Sequence, residues 1–456
     1  MEKAHRTIAS RRFAADVRRS FEHLIHSQSV SGMLLIICAV IAMVFANVPA
    51  LRHIPEIWHT PIALTAGDFK LEMSLLHWVN DALMAIFFFV VGLEIKREMM
   101  VGELRSFRKA ALPIFAAVGG MIVPALIYLF FNHGQETVSG WGIPMATDIA
   151  FALGVLSLLG DRVPLGLKVF LTALAIVDDL GAIIVLAIFY PSHALHLDFL
   201  IYAGIVVAVL LAINRSGLRH PLYYLIPGIF LWYFVYRSGI HATISGVILA
   251  LTIPAKTTIN EVRFNVRMRY FLQRFRGTCT GEVNVLADAE QQMLLHRMER
   301  NILEISPLMH RFESALHPWV NFFIMPVFAL ANAGVLMDGS VIASGNIPPL
   351  VPGIFFGLLL GKPIGIFLMS FLAVKLRLAD LPMGSRWMQI FAIGMVGGIG
   401  FTMSIFVDNL AFTLPRYVEL GKAAILITSV VAAILGLIVV GLTTRKNKET
   451  IINNNQ

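Results

Sequence analysis

Residues 169–190 read VFLTALAIVDDLGAIIVLAIFY, an apolar run long enough to cross a bilayer, with two adjacent acids, Asp178 and Asp179, near its middle. A charge in hydrocarbon costs about 2.5–3.5 kcal/mol on insertion scales, so two side by side must be offset by partners, water, protons or a bound cation. Consecutive helical residues point about 100° apart, so the two carboxylates address different neighbours around one cavity instead of each other. Hard cations such as sodium want oxygen ligands, and a carboxylate supplies ligand and charge together. Burial disfavours the charged form of any acid, which lets one group take up either a proton or a metal ion.

The rest of the chain fits a membrane. Of its 456 residues 57% are hydrophobic and only 14% charged, with a mean hydropathy of +0.76, outside the range of soluble globular domains. Hydropathy predicts an all-α polytopic membrane protein with about twelve transmembrane helices, near 30–49, 76–95, 110–131, 141–159, 166–190, 198–213, 222–236, 239–254, 317–336, 350–373, 386–406 and 422–443. With both termini inside, 30 of the 36 Lys and Arg fall on the cytoplasmic side, which follows the positive-inside rule and an even number of spans. The net charge of +8 then reflects basic loops facing anionic headgroups, and no nucleic-acid partner is needed. Cys38 and Cys279 have neither disulfide nor metal spacing and read as structural filler.

The expected organisation is a cytoplasmic N-terminal segment (1–29), whose following span acts as an uncleaved anchor, and transmembrane helices 1–8 (30–254). A cytoplasmic insertion (255–312), transmembrane helices 9–12 (313–443) and a cytoplasmic tail (444–456) follow. Within 57–75, β-leaning pieces flank Ala66-Gly67-Asp68 and predict a periplasmic hairpin whose free edge would pair with a second copy. In the insertion, Arg263 to Arg276 is basic and aromatic and Ala287 to Ile305 has helical periodicity, the pattern of an amphipathic surface helix.

Two spans are interrupted. Gly142, Pro144 and the polar pair Thr147-Asp148 disturb the fourth; Gly394, Gly397, Gly398 and Gly400, followed by Thr402 and Ser404, disturb the eleventh. Discontinuous helices in the two halves of a transporter point to a midplane binding site. Half-helix N-termini meeting there carry partial positive charge and C-termini partial negative charge, so Asp148 would balance the former and an ammonium the latter, while Thr147 offers a hydroxyl ligand. Plain N-capping is the alternative role for either residue.

Lys362 is the one base well inside a span, with at least about a dozen uncharged residues on each side, and must pair with an acid of the fifth span or lose its proton. Asp81, Glu94 and Glu98 lie on the second span, the last two sharing a face at i, i+4. His241 opens the eighth span and reads as structural or as a proton sensor.

At these residues the chain resembles the NhaA family of bacterial sodium/proton antiporters. The matching strings are GLEIKRE (92–98), ATDIAFALG (146–154), VDDLGA (177–182), SGIHAT (238–243), LHPW (316–319), GKP (361–363) and GIGFTMS (398–404). They run in order through nearly all the chain except the insertion. The resemblance implies twelve spans in inverted-topology repeats with crossed discontinuous helices, the fourth and eleventh. It also implies electrogenic exchange of more than one proton per sodium (or lithium) by alternating access, serving pH and sodium homeostasis. The expected setting is the bacterial inner membrane, as a homodimer held partly by the periplasmic hairpin, with no cofactor and no enzymatic activity.

Carried over, Asp179 resembles the principal cation ligand, Asp178 the proton carrier paired to Lys362, and Thr147 and Asp148 the residues at the crossing; Asp178, Asp179 and Thr147 are the sodium ligands so implied. Glu94, Glu98 and Glu313 resemble positions of a cytoplasmic funnel linked to pH response, with Asp81 and His241 accessory. The long insertion and His310, where a Lys would be expected beside Arg311, depart from the family pattern and bear on the pH set point.

Three other readings fit less well. A sodium-coupled symporter of an organic anion can share the fold, but needs a larger polar pocket and gains nothing from a buried Lys–Asp pair. An intramembrane aspartyl protease needs two facing carboxylates from different helices sharing a proton, which an adjacent pair on one helix does not supply. A passive channel has no need of groups that make two ions compete.

Overall fold

The computed structural model describes residues 28–66, 69–191, 195–278, 288–336, 347–382 and 384–453. Most of the expected N-terminal segment (1–27), Gly67 and Asp68 of the hairpin turn, and Cys279 lie outside the described residues.

From its first described residue the chain forms α1 (Gln28–Asn47), then β1 (Pro61–Ala66) and β2 (Phe69–Ser74), paired antiparallel with Pro61 opposite Ser74. Next come α2 (Leu75–Val101), α3 (Phe107–Asn132), and a tight 3-10 stretch (Glu136–Met145) that leads across a break into α4 (Ile149–Ser157). The middle holds α5 (Leu165–Phe189), α6 (Leu197–Arg215), α7 (Leu222–Ser238) and α8 (Ile244–Thr252). After α9 (Glu261–Gly277) and α10 (Ala289–Ile305), the chain returns through α11 (Leu308–Asn332) and α12 (Leu350–Lys375). It ends with α13 (Trp387–Gly397), α14 (Phe401–Ala411) and α15 (Pro415–Asn453).

Among the described residues, eight helices are long and apolar enough to cross a membrane (α1, α2, α3, α5, α6, α11, α12 and α15), and counting each bent pair as one span gives ten. The two further spans expected from hydropathy coincide with α7, of 17 residues, and α8, of only 9. Gly239, in the left-handed region with φ +87°, ends α7 and separates the two. The last helix is longer than the hydropathic window, beginning at Pro415 and continuing through Asn453 into the expected tail.

The insertion forms a helical pair. Asn260 accepts a hydrogen bond from Arg263 N at the start of α9, and Asp288 accepts from Glu290 N and Gln291 N at the start of α10, satisfying amides that a helix leaves free. Arg267–Glu304 at 2.8 Å and Arg274–Glu290 at 3.0 Å join the two helices. Val262, Val266 and Tyr270, four residues apart, remain exposed on one face of α9.

The lipid-facing helices and the interior differ in kind. In α6 only Ala203 and Leu210 are buried, whereas α5 buries a broad band that includes both of its acids. Beside α5, the backbones of α3 and α12 touch: a Cβ added to Gly119 would collide with the carbonyl of Gly365, and one added to Gly365 would collide with that of Gly119. Small residues are how helices approach closely in lipid, where lipid tails compete with side-chain packing. One position on, a Cβ at Gly120 would lie 3.7 Å from Cδ of Lys362, so the glycine pair also makes room for the lysine stem.

Gly365→Leu should therefore destabilise the protein by about 1–3 kcal/mol through overpacking. Thermal unfolding of detergent-solubilised protein checks this against Gly204→Leu, which has open space around it and should leave the melting temperature unchanged.

Candidate cation site

Both broken helices stop and restart in the buried interior, bending by 45° between Glu136–Met145 and α4 and by 51° between α13 and α14. Gly142 and Pro144 lie in the 3-10 stretch; Gly397 ends α13, and Gly398 and Gly400 occupy the second break. The hydroxyl of Tyr190 holds the first segment in place, accepting from Gly142 N at 3.0 Å and donating to Ser139 O at 2.6 Å.

Each break satisfies the other's polar groups. Asp148 N donates to Ile399 O at 2.8 Å. The Asp148 carboxylate caps its own helix by accepting from Phe151 N at 2.9 Å, and with its second oxygen accepts from Thr402 N at 3.1 Å and from the Thr402 hydroxyl. One buried acid thus serves the positive ends of both α4 and α14. Ser404 Oγ donates to Ile143 O at 2.9 Å, and Phe401 N donates to Ser429 Oγ at 3.1 Å.

At the negative end of α13 stands Thr147, whose Oγ1 lies 2.9 Å from Gly397 O and 2.7 Å from Asp178 Oδ2, two acceptors for its single proton. Lys362 Nζ donates to this same hydroxyl at 2.8 Å and to Asp178 Oδ2 at 2.5 Å. All three side chains are almost wholly buried. The lysine reaches them from a widened turn: its N–H bonds Gly357 O, five residues back, and Pro363 with no N–H follows at once.

Asp179 is placed differently. It is 1% exposed, yet neither carboxylate oxygen has a hydrogen-bond partner. It lines a cavity of about 250 Å³ together with Asp148, Glu94, Arg97, Glu313 and His317, whereas Asp178 does not. Toward the more exposed end, Arg97 bonds Glu313 at 2.5 Å and Glu98 at 3.3 Å, and His317 Nε2 lies 3.9 Å from Glu94. Among the described residues no three His, Cys, Asp or Glu side chains converge. A cation at Asp179 would therefore rely on hydroxyl, carbonyl or water oxygens beside the carboxylate charge.

The remaining residues singled out from sequence scatter around this centre. Glu98 bonds Glu103 N at 3.1 Å and does not line the cavity. His310 is exposed on α11 and stands apart from it, with Ser314 Oγ 3.5 Å away, while Glu313 on the same helix enters it. Asp81, near the start of α2, and the buried His241, between α7 and α8, face each other at 3.8 Å, and His241 Nδ1 lies 2.9 Å from Thr243 Oγ1. His317 was visible only as part of the string LHPW, and its place beside Glu94 depends on how α2 packs against α11. Asp408, fully buried on α14, escaped notice because it ends the apolar run that defines its span.

Two broken helices bonded at their breaks, with buried carboxylates beside them and a cavity leading in, define a secondary transporter. The Na+/H+ antiporter 1 family profile matches residues 22–440, and the chain belongs to that family. It is 46% identical over 427 residues to a Na(+)/H(+) antiporter NhaA of Wolinella succinogenes, covering 94% of both chains. To the protein of that name from Oleidesulfovibrio alaskensis it is 49% identical over 416 residues, 91% of this chain and 92% of the relative. To that of Helicobacter pylori J99 it is 46% identical over 419 residues, 91% and 94%.

Removing one partner of the buried ion pair should cost more than removing both. Lys362→Met should lower unfolding stability by about 3–5 kcal/mol by stranding Asp178, and adding Asp178→Asn should restore most of it. Denaturant unfolding of the two purified variants measures the difference.

Proposed function

We propose that this chain exchanges sodium for protons across a bacterial inner membrane by alternating access, with Asp179 as the principal cation ligand and Asp178 as the proton carrier. The chain is a multi-pass membrane transporter of a family whose members are named sodium/proton antiporters, not an enzyme. The observation that carries the assignment of roles is the contrast between neighbours: Asp178 is held by Lys362 and Thr147, while Asp179 meets the cavity with both oxygens unpaired.

The chemistry follows from that contrast. A cation entering the cavity meets a carboxylate with free lone pairs, and its binding supplies the charge that burial otherwise denies. A proton supplies the same charge, so the two ions compete. When Asp178 takes a proton its attraction to Lys362 is lost, and Thr147, bonded to both and to Gly397 O, carries the change to the break. Asp148 keeps the two half-helix N-termini together through this exchange.

On this reading α7 and α8 complete a twelve-span fold of inverted repeats with the two broken helices crossed, both termini are cytoplasmic, and the cavity opens to the cytoplasm. Glu94, Glu98, Glu313 and, more remotely, His310 tune the pH at which exchange begins, and the exposed edge of the β-hairpin joins two copies. Lithium is accepted with sodium. Asp81 and His241 lie on the other side of the site, toward the hairpin.

Asp179→Asn should abolish sodium-driven proton movement in proteoliposomes while leaving a folded protein, because an amide keeps the shape but takes up no proton. Undiminished flux would refute the role. In the wild type, where protons fill the site, each unit of acidification should raise the apparent KM for sodium about tenfold per competing proton and change maximal rate far less. A KM for sodium that stays flat across the acidic limb would refute the shared site even with exchange intact.

A further inference from the structure

On the hairpin side of the break, α14 carries an acid that the exchange scheme leaves unused. Asp408 lies six residues beyond Thr402, about 9 Å further along the helix at 1.5 Å per residue. It is fully buried, and neither carboxylate oxygen meets a hydrogen-bond donor. The helix opposite is shaped around it: a Cβ at Gly421 of α15 would run into the carboxylate, 2.7 Å from its Cγ. Lys422, next along α15, is the cation whose charge acts on Asp408, and Glu419 acts in turn on Lys422; the phenol of Tyr128 on α3, also within electrostatic reach of the acid, donates to Thr137 O at 2.6 Å.

The next residue on α14, Asn409, joins a polar chain between helices. Asn409 Nδ2 donates to Asn332 Oδ1 at 2.8 Å, and Asn332 Nδ2 donates to Asn80 Oδ1 at 2.9 Å, a chain of amides that ends beside Asp81 and His241. Phe406, two residues before Asp408 and therefore on the opposite face of α14, packs against Phe88, Phe328 and the ring of His241. The cavity reaches Met403 on α14 and ends there. Along α14 the second acid therefore lies beyond the end of the cavity, on the face turned to α15.

We propose that Asp408 is a second cation-accepting carboxylate, which takes a sodium ion or a proton between the Asp179 site and the hairpin face of the membrane. Lys422 balances its charge when the ion has left. A fixed structural ion pair would bring the ammonium into hydrogen-bond contact, as Lys362 does with Asp178; Asp408 instead keeps both oxygens free. The proposal rests on the exchange reading and extends it to the opposite face.

The test is sodium-driven proton movement by the full chain in proteoliposomes of known orientation, with sodium presented to one face at a time. Asp408→Asn should raise the apparent KM for sodium at the hairpin face by about tenfold and change it by less than about twofold at the other. Asp408→Asn combined with Lys422→Met, which removes both charges and carries the test if the single variant fails to fold, should keep the one-sided defect. Wild-type KM at both faces, an equal change at both, or full recovery in the double variant would overturn the proposal and leave Asp408 as a counter-charge for Lys422. Absence of exchange in the wild-type chain would instead remove the antiport reading itself.

Discussion

Backbone groups exposed where a helix breaks inside a membrane find no partner in lipid, and everything at the centre of this protein is arranged around supplying them one. Asp148 takes the amides at the start of α4 and the start of α14, and its own N–H goes to Ile399 O. The carbonyl at the end of α13 faces Thr147 instead. Because that hydroxyl also touches Asp178 and receives Lys362, the ion pair is tied to the break by a single side chain. The charge on Asp178 therefore sits one hydroxyl away from the carbonyl that ends α13.

The second consequence is a division of labour between adjacent residues. Successive positions on α5 point in directions far enough apart that one faces the packed wall of α12 and the other the cavity. Packing compensates the first with an ammonium and a hydroxyl and leaves the second bare. Burial makes that bare carboxylate costly unless a proton or cation joins it, which is the physical basis for the competition proposed between the two ions. The glycine contact between α3 and α12 contributes indirectly, by letting the backbones touch and clearing the path of the lysine stem.

Much of this was readable beforehand because charge in an apolar run is conspicuous. Asp178, Asp179 and Lys362 stood out by their cost in hydrocarbon, and Thr147, Asp148 and the glycines by interrupting otherwise regular helices. Residues near the ends of apolar runs give no such contrast, since an acid there looks like an ordinary solvated terminus. Asp408 was missed for that reason, and His310, singled out because it departs from the family pattern, is exposed and apart from the cavity that Glu313, three residues on, enters. The span expected at 239–254 contains the short α8, of nine residues, together with the turn that precedes it, which hydropathy does not separate.

Composition and spacing alone establish a polytopic helical protein with two broken helices and a small set of intramembrane charges, because each is a local property of the chain weighed against hydrocarbon. Which charges meet is a different matter. That Lys362 takes Asp178 and leaves Asp179 free, and that Asp148 serves two helices and not one, involve residues 184 and 254 positions apart, and the seat of Asp408 against Gly421 is made by two helices together. Such partnerships depend on how helices pack and rotate against one another, and only the folded arrangement decides them.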